Sequence, residues 1–517
     1  MSDQFPGAEA SPSGRDHHSR SSGSFRRRLC STHHTDIGTL YLCLSVVSGI
    51  VGALFSVLMR FELQAPGLQL FPDGQTWNLV MTAHGLIMVF FMVMPALIGG
   101  FGNWLVPTMI GASGMAFPRL NMLGFWLMIP SLALLLGSTL VGMNTGEGRT
   151  EGLPLPGTAR APGLSLDLAI LALLLAGTSL VTGAINFIAT IFNMRAPGMT
   201  FHKLPLFVWA VLVTAFLLVL TVPVLAGAIT LLVMGGTPGG ALFQSGSGGD
   251  PLLFQRVLWF FGHPEAYIMI VPSFGIVSHI IATFARRPVV GYLGMVYAMC
   301  AIGLIGFVVW AQQMYTSGMS FKTDSYFGIA ILIISIPTAI ILLSWIATMW
   351  RRAPALKTPM LYAIGFMVIF IFGGAAGAIM RSGSPDVSVH ATYFVVAHFH
   401  LVLSLGAVFA ALGGWYYWIG AMSGRQYPEL WGKIQFWTMF VGVNLTMIPQ
   451  YVLGLDGMPR HTPDYPDSFA GLNFISSIGA YTGFASGMIF CGIALYTLIK
   501  GSRVGDDYWG ERADARS

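Results

Sequence analysis

Apolar residues come in long blocks separated by short polar stretches, near 37–59, 78–106, 120–143, 165–192, 205–234, 252–284, 289–313, 326–350, 360–380, 392–418, 433–454 and 475–499. Each block has about 20 residues or more, the length a helix needs to cross the hydrocarbon core of a bilayer. Helix is the element they predict, because a span in lipid must satisfy its backbone hydrogen bonds internally. The expected fold class is an all-α membrane protein. A bundle of twelve transmembrane helices over 36–500 would lie between a disordered basic tail, 1–35, and a C-terminal tail, 501–517. No repeat of fixed period is visible, so repeat-built transporter architectures gain no support.

Composition sharpens this picture. Charged residues make up 9% of the 517, against about a quarter in an ordinary soluble domain. Both tails and one set of loops hold most of the 26 Lys and Arg, among them Arg195, Lys203, Arg286, Arg287, Arg351 and Arg352. The other loops hold Glu62, Asp73, Asp250, Asp456 and Asp464, with few basic residues such as Arg60. The excess of positive charge on cytoplasmic loops then puts both termini in the cytoplasm. The net charge of +5 therefore reads as topology, with a lipid membrane and not nucleic acid as the partner. Cys30, Cys43, Cys300 and Cys491 show no pairing or zinc-type spacing and read as packing residues. His17, His18, His33 and His34 read as part of the solvated tail.

Among the histidines inside the blocks are His84 in the second, His263 in the sixth, and His398 and His400 in the tenth. The topology puts all four in the outer half of the bilayer. Imidazole is expensive there, and independent packing residues have no reason to share one depth, so a common cofactor layer is the better account. Neutral imidazole is the usual axial ligand of haem iron. On a regular helix His398 and His400 point about 200° apart, so one serves each side. His84 with one of them suits a six-coordinate haem, and the other suits a second haem with an open face. In the sixth block His263 and Tyr267 share a helix face. Glu265 between them is a carboxyl suited to carrying protons; the plainer reading is a helix kinked at Pro264 with a stray carboxyl.

Longer motifs accompany these residues: "TAHGLIM", "PALIGGFGNWLVP", "MAFPRLN", "GAINFIATIFNMRAPGMTFHKLPLFVWA", "WFFGHPEAYIMIVPSFGIVSH", "SWIATMW", "TYFVVAHFHLVLSLGA" and "NFISSIGAY". Through them the chain resembles, over 36–500, subunit I of the haem-copper terminal oxidases of the cytochrome c oxidase type. The resemblance implies that His84 and His400 bind a low-spin haem and His398 a high-spin haem, both of haem A type. It implies that His263 is a copper ligand, that Tyr267 is the tyrosine linked to it, and that Glu265 passes protons along a path lined by Asn103 and Asn121. Arg460 would hold a haem propionate and His390 an outer metal site. It further implies electrons from cytochrome c or a similar donor, dioxygen as acceptor, proton pumping, separate subunits II and III, and a bacterial inner membrane.

This chain departs from the family pattern at particular positions. Gln312 and Gln313 stand where the resemblance calls for two more copper-binding histidines. A carboxamide oxygen replaces imidazole poorly at copper, which prefers nitrogen or sulfur, so copper at the binuclear site is in question. Gly114 and Ile341 stand where proton uptake calls for Asp and Lys; Ala391 replaces a metal-binding Asp, and His461 replaces an Arg beside Arg460. The substitutions spare the haem ligands. They leave two alternatives to an oxidase subunit: a copper-deficient haem paralogue that transfers electrons or binds a diatomic gas, and a non-catalytic paralogue for assembly or regulation.

Overall fold

The computed structural model describes residues 31–145, 163–235, 250, 252–314, 326, 328–330, 332–380, 388–505 and 508–509. The basic tail through Cys30, the polar segments holding Arg149, Arg160, Lys322 and Arg381, and the chain beyond 509 lie outside the described residues.

Among the described residues, twelve main helices follow in order. They are α1 (His34–Glu62), α2 (Gly74–Met109), α3 (Pro118–Thr145), α4 (Leu164–Asn193), α5 (Leu206–Gly235), α6 (Leu253–Ala285), α7 (Tyr292–Val308), α8 (Ser335–Met349), α9 (Thr358–Met380), α10 (Tyr393–Ser423), α11 (Glu429–Leu455) and α12 (Ala470–Lys500). Among the described residues, 11 helices are long and apolar enough to cross a membrane. α8 reaches that length when counted from Gly328, as Gly328–Met349; the exception, α7, has 17 residues, about 25 Å at about 1.5 Å per residue. A 3₁₀ turn, Trp310–Met314, continues it. Positions 312 and 313 therefore lie on a tightened turn and not within the regular helix.

Two helices are irregular where the candidate residues sit. In α2 a regular first part, Gly74–Ile87, passes into π-helical stretches Met88–Val93 and Pro95–Gly102 before Asn103–Met109 resumes the α form. Pro95 contributes, since it cannot donate to the carbonyl four residues back. In α10 a π-helical turn, His400–Ser404, interrupts the helix directly after Phe399. Such turns widen the helix locally and re-aim side chains, and they gather at functional sites.

Neighbours in sequence pack as neighbours in space, notably α3 with α4, α5 with α6, and α11 with α12. Many buried hydroxyls bond back into their own helices, as Thr214 does to Ala210 and Thr221 to Leu217, both at 2.8 Å. In lipid a polar group must find such an internal partner. Cys43 and Cys300 lie on exposed faces, so they are not the packing residues the sequence suggests. His34, assigned from sequence to the tail, is buried at the start of α1, while the ring of His33 caps that helix by accepting from the Thr35 N–H. Asp73 caps α2, accepting from the Thr76 N–H over 2.7 Å, and that bond holds its carboxyl below the usual carboxylate range.

Candidate functional site

A cavity of about 1960 Å³ lies among α1, α2, α6, α10, α11 and α12; Arg60, His84, Glu265, His400, Gln450 and Phe484 each line it from a different helix. It is about twice the upper end of ordinary small-molecule pockets, about 1,000 Å³. His84 and His400 both line its walls. Each ring is oriented by a backbone carbonyl at 2.8 Å, His84 Nδ1 by Gly52 of α1 and His400 Nδ1 by Val396 one turn earlier. Donation from Nδ1 makes Nε2 the basic nitrogen, the form in which imidazole ligates a metal.

Arg60 is the group in this wall that sequence reasoning missed. It is buried near the end of α1, and its Nη2 donates to the Asn473 carbonyl at 2.9 Å and to Ser477 Oγ at 3.2 Å. Its Nη1 is buried without a hydrogen-bond partner. Leaving a buried donor unmade is costly, so an acceptor on the cavity's occupant is called for. Arg460 and His461 line the same cavity, and His461 holds a left-handed backbone with φ 66° while its Nδ1 lies 2.9 Å from Met81 Sδ. Two oriented imidazoles, an orphaned guanidinium nitrogen and an apolar remainder fit a haem.

His398 lies outside that cavity's wall. Its Nδ1 donates to the Gly373 carbonyl of α9 at 2.9 Å. The two histidines of α10 thus face different neighbours, although the π-turn begins between them.

Beyond His398 the donor set thins. His263 is buried in α6, with its Nε2 3.1 Å from the Tyr267 hydroxyl and the two rings 5.3 Å apart. The Tyr267 ring rests on Gly306 of α7, where a Cβ would fall 2.6 Å from it. Gln312 and Gln313 follow on the 3₁₀ turn. Among the described residues no three His, Cys, Asp or Glu side chains are grouped to hold a metal ion. One imidazole with two carboxamides does not fit copper.

The remaining candidates are placed as follows. Glu265 faces the large cavity. Asn121 donates to Asn103 Oδ1 at 2.6 Å, and Asn103 to the Gly99 carbonyl at 2.7 Å. His34 Nδ1 lies 2.7 Å from the Asn103 carbonyl, which ties α1 to this pair. At Gly114 an added Cβ would meet open space, and Ile341 is fully buried. His390 sits in the turn before α10, where the next residue, Ala391, accepts from the Arg460 N–H at 2.9 Å.

The helical bundle with paired imidazoles across one cavity defines an integral membrane protein of the haem-copper oxidase class. The chain belongs to the Cytochrome C and Quinol oxidase polypeptide I family, whose model matches residues 36–482. It is 50% identical to cytochrome c oxidase subunit 1 of Cereibacter sphaeroides, over 98% of this chain and 94% of that protein. Its fold also resembles that of a heme-copper terminal oxidase dimer solved by cryo-EM, with a TM-score of 0.70 at 18% identity, over 92% of this chain and 86% of the other.

Proposed function

We propose that this chain is the haem-bearing core of a respiratory oxidase, passing electrons through two haems toward dioxygen. The observation that carries the reading is the pair of carbonyl-oriented imidazoles, His84 and His400, on one cavity with the unpaired Arg60 nitrogen. They would hold the low-spin haem and His398 the high-spin haem, both of haem A type by family. Bound haem supplies one-electron chemistry tuned by its axial ligands and surroundings. The protein's own groups do the rest. Gly52 and Val396 carbonyls fix the ligand tautomers, and Arg60 and Arg460 offer positive charge to oxygen-bearing substituents. The apolar wall excludes water, and Glu265 with Asn103 and Asn121 offers proton-bearing groups beside it. The Tyr267 hydroxyl, hydrogen-bonded to His263 Nε2, would be available as a proton donor.

In this reading His263 alone would hold copper weakly, since Gln312 and Gln313 stand at the other two ligand positions. Gly114 and Ile341 cannot bear a proton, so pumping by the usual uptake routes is not supported. Subunits II and III, cytochrome c or a similar donor, a bacterial inner membrane, cytoplasmic termini at both ends and a metal at His390 complete the proposal, as do disordered tails at 1–35 and 501–517. The glutamine pair favours one second reading, a copper-deficient paralogue that transfers electrons or binds a gas without turnover. Oxygen consumption by the purified complex with reduced cytochrome c separates them: steady turnover is the expected result, and its absence beside intact haem bands would favour the paralogue.

A further inference from the structure

His398 leans on α9, and α9 meets it with glycine. The ring is tied to the Gly373 carbonyl through Nδ1. One turn along α9, at Gly377, an added Cβ would fall 3.0 Å from His398 Nε2, 3.1 Å from Nδ1 and nearer still to Cε1. The clash is with the whole ring edge, and the Gly373 bond prevents the ring from sliding away without losing its acceptor. Gly374, the neighbour on another face of α9, has open space where a Cβ would go.

We propose that Gly377 is a positioning residue for His398: lacking a side chain, it lets the imidazole lie against α9 with Nδ1 on the Gly373 carbonyl, and so sets where Nε2 points. The proposal rests on the reading of His398 as the axial ligand of the second haem. Groups behind a ligand fix its tautomer, orientation and basicity, and disturbing them typically changes metal affinity or activity by about 10–100-fold.

The test compares Gly377→Ala, Gly374→Ala and His398→Ala in the complete complex. The readouts are the iron–histidine stretching band of the reduced high-spin haem and carbon monoxide binding. The low-spin absorption band of the His84–His400 haem reports that the bundle has folded. Gly377→Ala is expected to keep the low-spin band, shift the iron–histidine band and weaken carbon monoxide binding by about tenfold or more. Gly374→Ala is expected to match the unaltered complex, and His398→Ala to lose the iron–histidine band. An unshifted band and unchanged gas binding in Gly377→Ala, with His398→Ala still losing its signal, would overturn the positioning role alone. Loss of the low-spin band in Gly377→Ala would overturn it too, because the substitution would then act on the whole fold. Retention of every signal in His398→Ala would overturn the ligand assignment beneath it.

Discussion

The two sides of α10 are built to different standards. Toward α1 and α2, His400 faces a cavity with His84 opposite, both rings held by carbonyls at 2.8 Å and with a buried arginine in the same wall. Toward α6 and α7, one buried histidine and its tyrosine stand beside a 3₁₀ turn carrying two glutamines. On the proposed ligand assignments, the difference teaches that haem ligation and copper ligation are separable in this fold. Haem needs single imidazoles from well-supported helices. The copper that the proposed ligand set implies would need several nitrogens from α6 and α7, and two of those positions carry Gln312 and Gln313.

The largest expected effect would break the well-built side. On the proposed assignment His400→Ala would remove one axial nitrogen, so the low-spin absorption band should disappear and iron per complex should fall by about half; a six-coordinate spectrum surviving the change would count against the pairing. Next, the poorly built side can be completed. Gln312→His together with Gln313→His supplies imidazole at both positions, and metal analysis should register copper rising by about one per chain.

How far this contrast was legible depends on what lipid enforces. Twelve apolar blocks predicted twelve helices because a bilayer leaves the backbone little choice. The end of α7 at Val308 was not legible, since Val309, Trp310 and Ala311 continue the apolar run while the backbone tightens. The π-turns in α2 and α10 leave no mark in the pattern of apolar residues, yet they set the aim of the residues near His84 and His400. His84, His263, His398 and His400 stood out because imidazole is expensive in lipid. Arg60 did not, because a cation at a block's end looks like one reaching for the interface. His34 was hidden among tail histidines, and its burial and its bond to the Asn103 carbonyl reveal it.

Smaller effects sharpen the comparison. Arg60→Leu leaves Ser477 and Asn473 without their buried donor, and thermal unfolding should reveal a loss of about 1–3 kcal/mol. The low-spin band should shift as well; an unmoved band would mean that no occupant uses the Nη1 nitrogen. Asn121→Leu strips Asn103 Oδ1 of its donor and should destabilise by about 1 kcal/mol without altering either haem spectrum. The smallest effect is expected at Asp73. Its folded-state carboxyl is held below the usual range, so its contribution is present above the unfolded-state range and is lost as pH falls through the folded-state value. The stability gap between Asp73→Ala and the unaltered protein should therefore be open at neutral pH and close in acid.

The most direct test is anomalous X-ray scattering recorded on either side of the copper edge from crystals of the purified complex. Two iron peaks, one between His84 and His400 and one beside His398, with no copper peak beside His263, is the predicted result. A fully occupied copper peak bound to His263 would contradict the account.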